Sequence, residues 1–133
     1  MTYLVTGGTS GIGLGTVKKL LASTGATVIS VSRNQEKIKA IKNELAEYKA
    51  RVDFYSADIT DEAAVEDLAQ SLATKYSAID GIVNAAGIIV PGGIEECSIN
   101  DWRKVMDANV TSVYIVTKML LLHPISISTV TAP

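Results

Sequence analysis

Two hydrophobic rhythms alternate along the chain. Short β-branched runs recur between longer stretches whose apolar residues fall three and four positions apart. The first rhythm fits strands buried on both faces, and the second fits helices with one stripe in a core. Tyr3–Thr6 (YLVT) reads as a first strand ending in a glycine turn. Val17, Leu20 and Leu21 then share a helix face, with Gly25 as its C-cap. Thr27–Ser32 (TVISVS) reads as a second strand, and Asn34 caps a helix whose stripe is Ile38, Ile41, Leu45 and Tyr48. Val52–Ala57 is a third strand. Asp61 or Thr60 opens a third helix through Val65, Leu68, Ala69, Leu72 and Tyr76. Ile79–Gly87 (IDGIVNAAG) holds a fourth strand and a second glycine turn, followed by a loop with Pro91, Gly92 and Gly93. Ser98 with Asp101 makes a capping-box-like start to a long helix, and Ile125–Thr129 reads as a fifth strand.

Strands alternating with amphipathic helices predict an α/β fold: a Rossmann-type doubly wound parallel sheet with helices on both faces. Ligands of such sheets bind beyond the carboxyl ends of the strands, so chemistry is expected in the turns just after them.

Composition trims this picture. The 133 residues fit one domain, 1–133, and 47% hydrophobic with 20% charged residues excludes disorder. A formal net charge of −2 with no Lys/Arg block leaves no footprint of a nucleic-acid binder. The one cysteine, Cys97, allows neither an intrachain disulfide nor a cysteine-cluster zinc site, and no metal site is expected. No basic segment precedes an apolar run at the N-terminus and no run of about 18 apolar residues occurs, so the chain reads as cytoplasmic, without signal peptide or membrane contact.

The densest chemical signal comes directly after the first strand: Thr6-Gly7-Gly8-Thr9-Ser10-Gly11-Ile12-Gly13. A tight strand-to-helix turn needs positive φ, which glycine supplies. A pyrophosphate needs close backbone approach and free N–H groups at a helix N-terminus, and a glycine in the first helical turn lets helix and sheet pack closely. The turn therefore reads as a dinucleotide site.

The pattern T-G-x-x-x-G-I-G resembles the classical short-chain dehydrogenase/reductase family. Three further motifs occur in the family's order: Asp58 in SADIT, Asn84–Gly87 (NAAG), and Asn109-Val110 within the long helix. The resemblance implies cofactor binding by Gly7, Thr9, Ser10, Gly11, Ile12, Gly13, Arg33, Asp58, Ile59, Asn84, Ala85 and Gly87, with Asp58 against the adenine ring. It implies that Asn109 is a catalytic-tetrad residue that binds a water through its backbone. On a helical wheel, Trp102, Val105, Met106, Val113, Val116 and Leu120 form one face with Asn109 near its centre, so Asn109 is expected to be buried and specifically hydrogen-bonded. At the end of the second strand an acid would favour NAD. Here Ser32-Arg33-Asn34 holds none, and Arg33 can bond a phosphate. The resemblance thus implies NADP, with NAD as the alternative.

The family's proton-transferring tyrosine and its lysine form Y-x-x-x-K after a catalytic serine. The chain's one such pattern, Tyr114 to Lys118, starts five residues after Asn109 in the same helix, off the apolar face, and is not expected to be catalytic. Aligned on the fifth strand, Thr129 takes the catalytic serine's place and Ser128 precedes it. The link from Lys118 to Ile125 is shorter than the family's, so the fold is expected to be C-terminally incomplete, truncated or lacking residues after about 122. The implied function is an NADP(H)-dependent short-chain oxidoreductase that interconverts a ketone and a secondary alcohol, represented by its cofactor-binding part. The alternative is a non-catalytic dinucleotide-binding or interaction module without the active-site Tyr and Lys. Implied partners are a small carbonyl or alcohol substrate and further copies of the chain, as dimer or tetramer, for which the all-round apolar stretch Val110–Leu122 offers a surface.

Overall fold

The computed structural model describes residues 1–127. Ser128 and Thr129 lie outside the described residues. The elements run β1 (Thr2–Thr6), α1 (Gly11–Ser23), β2 (Thr27–Ser32), α2 (Gln35–Glu44), a 3₁₀ turn (Ala46–Tyr48), β3 (Val52–Ser56), α3 (Glu62–Lys75), β4 (Ala78–Ile79), β5 (Gly81–Asn84), α4 (Ile99–Met106), a π-helical turn (Asp107–Thr111), α5 (Ser112–Leu122) and β6 (Ser126–Ile127). Strands β3-β2-β1-β5 pair in parallel in that order, and β6 lies parallel to β4. The expected fourth strand is split at Asp80. There the Asp80 N–H donates to the Thr2 carbonyl, and the Asp80 carboxylate accepts from the Thr2 N–H at 2.7 Å.

Alternate residues of the central strands feed two cores, as the pleat demands. Leu4, Ile29 and Val31 pack with Val65, Leu68, Ala69 and Leu72 of α3 and with Ile115, Val116, Met119 and Leu120 of α5. Val5 and Val28 pack with Val17 and Leu21 of α1 and with Ile41 and Leu45. Each buried Val, Leu, Ile or Met among them contributes about 1.5–3 kcal/mol by leaving water. Helices thus cover both faces, and every parallel strand aims its carboxyl end at the same edge.

Three local expectations change. First, α1 does not end on Gly25, which lacks a positive φ. Thr24 ends it instead, its N–H and hydroxyl both donating to the Leu20 carbonyl, while the Arg51 guanidinium donates to the Leu21, Thr24 and Ala26 carbonyls. A cation at a helix C-terminus satisfies orphan carbonyls and opposes the negative end of the dipole.

Second, the expected face of the long helix is only half buried. Val116 and Leu120 are core, joined by Ser112, Ile115 and Met119, but Trp102 is 54% exposed and Met106 and Val113 are also exposed. The less exposed stripe instead runs through Asp101, Val105, Ala108, Ser112, Ile115, Val116, Met119 and Leu120, displaced to one side of the apolar face. Third, α4, the π turn and α5 form one helix of 24 residues, Ile99–Leu122, whose most apolar 18-residue window has a mean hydropathy of 1.3. By length and composition it is able to cross a membrane. Asp107 and Lys118 hide that in a scan for unbroken apolar runs. One side of α5 is nonetheless committed to the core with α3.

Candidate functional site

The turn after β1 is shaped by backbone crowding. Gly7 and Gly11 have φ of 67° and 53°, the left-handed region where a side chain is costly. A Cβ on Gly7 would lie 2.8 Å from the Ala86 backbone. A Cβ on Gly13 would lie 2.0 Å from the Gly7 carbonyl oxygen. Gly13 therefore lets α1 start directly under the turn, and Gly7 lets the turn meet the segment after β5. The Thr6 hydroxyl ties the same two segments by accepting from the Ala86 N–H at 3.3 Å. Ser10 precedes α1 in an extended conformation and makes no side-chain cap, and no acidic residue occupies the first turn. The helix's leading N–H groups are open to an anion.

A cleft of about 500 Å³ opens at this edge of the sheet, lined by the glycine turn and by residues after β2, β3 and β5. Thr9 and Ser32 close its floor with a 2.7 Å hydroxyl–hydroxyl bond. Arg33, Asn34 and Lys37 line it after β2, and Asp58, Ile59 and Thr60 after β3. The Thr60 hydroxyl and N–H donate to the Asp58 carboxylate at 2.7 and 3.0 Å. Those bonds, helped by Arg33, hold the Asp58 carboxyl below its ordinary range against an opposing effect of burial, so the cleft keeps a carboxylate here.

Asn109 sits beside Ala108 at the cleft's margin. Its side-chain amide accepts from the Ile88 N–H at 2.7 Å and donates to the Ile88 carbonyl at 2.9 Å. It is exposed rather than buried, and its specific partner is the loop backbone. Gly87 allows this, since a Cβ there would lie 2.8 Å from the Asn109 Oδ1.

Of the residues singled out from sequence, Gly7, Thr9, Ser10, Gly11, Ile12, Arg33, Asp58, Ile59, Ala85 and Gly87 line this one cleft. Gly13 packs behind the turn. Asn84 ends β5 with its side chain exposed, outside the lining. Lys37, Thr60, Ala86, Ile88 and Ala108 also line the cleft and were not foreseen. For Lys37 the signal was present: it stands four residues after Arg33, in the first turn that Asn34 caps. Tyr114 and Lys118 lie away from the cleft, on an apolar groove of about 730 Å³ with Val110, Val113, Leu121 and Leu122. There the ammonium stacks over the phenol ring at 5.6 Å from its centroid.

The donor set suits a dinucleotide. Bare backbone and open N–H groups face the middle, a carboxylate stands on one side, cations stand at the end of β2, and the volume is that of a small-molecule site.

A family model described as short chain dehydrogenase matches residues 1–126. The 3-oxoacyl-acyl-carrier-protein reductase FabG of Chlamydia pneumoniae is 35% identical over 122 residues, covering 92% of this chain and 49% of the relative. A 3beta-hydroxysteroid dehydrogenase of Mediterraneibacter gnavus is 38% identical over 112 residues, covering 84% and 40%. The Pseudomonas aeruginosa RhlG/NADP active-site complex superposes with a TM-score of 0.82 at 35% identity, covering 92% of this chain and 46% of that one. The chain thus spans about half the length of these relatives.

Proposed function

Because this chain belongs to the short chain dehydrogenase family, we propose that its cleft holds NADP(H) for an oxidoreductase that interconverts a ketone and a secondary alcohol. When bound, the nicotinamide supplies hydride transfer. The chain's own residues bind and orient it. The N–H groups that lead α1 take the pyrophosphate, and Gly7 and Gly13 keep that backbone within reach. The Asp58 carboxylate and Ile59 border the adenine. Asn109 holds Ile88 and with it the turn Ala85–Gly87, and Asn84, at the end of β5, is assigned to the cofactor groove by its place in the motif. Thr129, with Ser128 beside it, is our assignment for the hydroxyl that polarises a carbonyl; its support is its place just after Ser126–Ile127.

The observation that carries the NADP reading is Arg33 on the cleft wall, with no acid at the end of β2. A guanidinium there attracts a 2′-phosphate, whereas an acid would repel it. The NADP complex of P. aeruginosa RhlG supports the same choice. Arg33→Asp is expected to move binding from NADPH towards NADH, measured by titrating both cofactors. Equal loss of both, or an unchanged ratio, overturns it. Relatives whose names include an oxoacyl reductase and a hydroxysteroid dehydrogenase support a small carbonyl or alcohol as substrate. Exposed Val110, Val113, Tyr114, Leu121 and Leu122 support association between copies of the chain.

A further inference from the structure

We propose that Lys37 is a second determinant of 2′-phosphate recognition, acting with Arg33 from the first turn of α2; this rests on the NADP reading above. The lysine's position is fixed from two sides. Its N–H donates to the Asn34 side chain at 3.0 Å, which places it in the first turn of α2. Buried Ile38 and Ile41 set the rotation of that helix. Lys37 consequently lines the same cleft as Arg33, Asn34 and Ser32, whereas Lys39 and Lys42 of the same helix border a separate depression with Phe54 and Ser56.

Charge points the same way. Among the described residues, Lys18 pairs with Glu44 and Lys75 with Asp53, but neither Arg33 nor Lys37 has a carboxylate within ion-pair distance. The acidic residue in the cleft lining, Asp58, is hydrogen-bonded by Thr60. Glu36, in the same turn, is outside the lining. Two cations on one wall, neither held in an ion pair among the described residues, match a phosphate monoester dianion. Its oxygens accept from a planar guanidinium on one side and a compact ammonium on another. One cation would suffice for a singly charged phosphodiester.

The test uses ligands that lack the nicotinamide. Calorimetric titration of the chain with adenosine 2′,5′-bisphosphate and with 5′-AMP isolates the 2′-phosphate. The unchanged chain is expected to prefer the bisphosphate. Lys37→Ala is expected to cut that preference by about fivefold, the scale of a solvent-exposed ion pair, with AMP affinity unchanged. Lys37→Arg restores it, and Lys39→Ala leaves it intact. If Lys37→Ala leaves the preference unchanged while Arg33→Asp removes it, or if Lys39→Ala lowers it equally, Lys37 has no such role and the NADP reading stands. If the unchanged chain binds the two ligands alike, the NADP reading itself fails and Lys37 falls with it.

Discussion

The glycine turn borders the cleft and the outer face of the 99–122 helix borders solvent, and they are built on opposite terms. The turn is crowded with backbone: Gly13 abuts the Gly7 carbonyl and Gly7 abuts Ala86. The helix face is crowded with nothing. Trp102, Val110, Tyr114, Leu121 and Leu122 project from it at 53–67% exposure. In the first region shape is determined by what each residue lacks; in the second, large side chains remain without a partner in the chain. Crowding by the chain's own backbone fixes the turn's shape from within, while an open face with excess apolar area signals a macromolecular neighbour.

That contrast can be broken most sharply at Gly13. Gly13→Ala drives a Cβ into a carbonyl oxygen, and a loss of about 3 kcal/mol is expected, read as a lower denaturation midpoint together with lost NADPH binding. Two residues on, Gly15→Ala meets open space within α1 and is expected to stabilise by about 0.5–1 kcal/mol. Equal effects at the two positions would show that crowding does not govern the turn. Next in size is Asn109→Ala, which severs the link between the two regions. Loss of both Ile88 bonds is expected to cost about 1–2 kcal/mol and to speed amide exchange at Ile88. Unaltered exchange there would mean that the loop holds itself. Smallest for the fold is Leu121→Lys on the open face, expected within about 0.5 kcal/mol by denaturation while abolishing the proposed self-association in sedimentation. A large loss of stability would place Leu121 in the chain's own core.

What the sequence made legible was local. Asn34, Asp61 and Ser98 each cap the next helix, because the accepting side chain and the donating N–H lie two or three residues apart. The alternation of buried strands and striped helices was equally plain, since one face of each helix must meet the sheet. Features that depend on distant residues were not. Gly25 looked like a C-cap because the carbonyl-binding cation, Arg51, stands in another element. The long helix's inward face was misplaced because its stripe takes in Ala108 and Ser112 and leaves Trp102, Met106 and Val113 outside. Asn109 was expected to be buried because it shares a wheel face with apolar residues, whereas its partner is an exposed loop backbone 21 positions earlier. The cleft's lining was legible where a motif stood directly after a strand. It was incomplete where, as with Lys37, a residue reaches the cleft from a helix.

The bond from the Ala86 N–H to the Thr6 hydroxyl spans 80 positions. The glycine motif, complete by residue 13, is therefore not a self-sufficient module during synthesis. Until the segment through Ile88 has left the ribosome and closed that long loop, the nascent chain has the turn's sequence without its opposite wall. Dinucleotide capture becomes a late event in the life of a motif that is translated first.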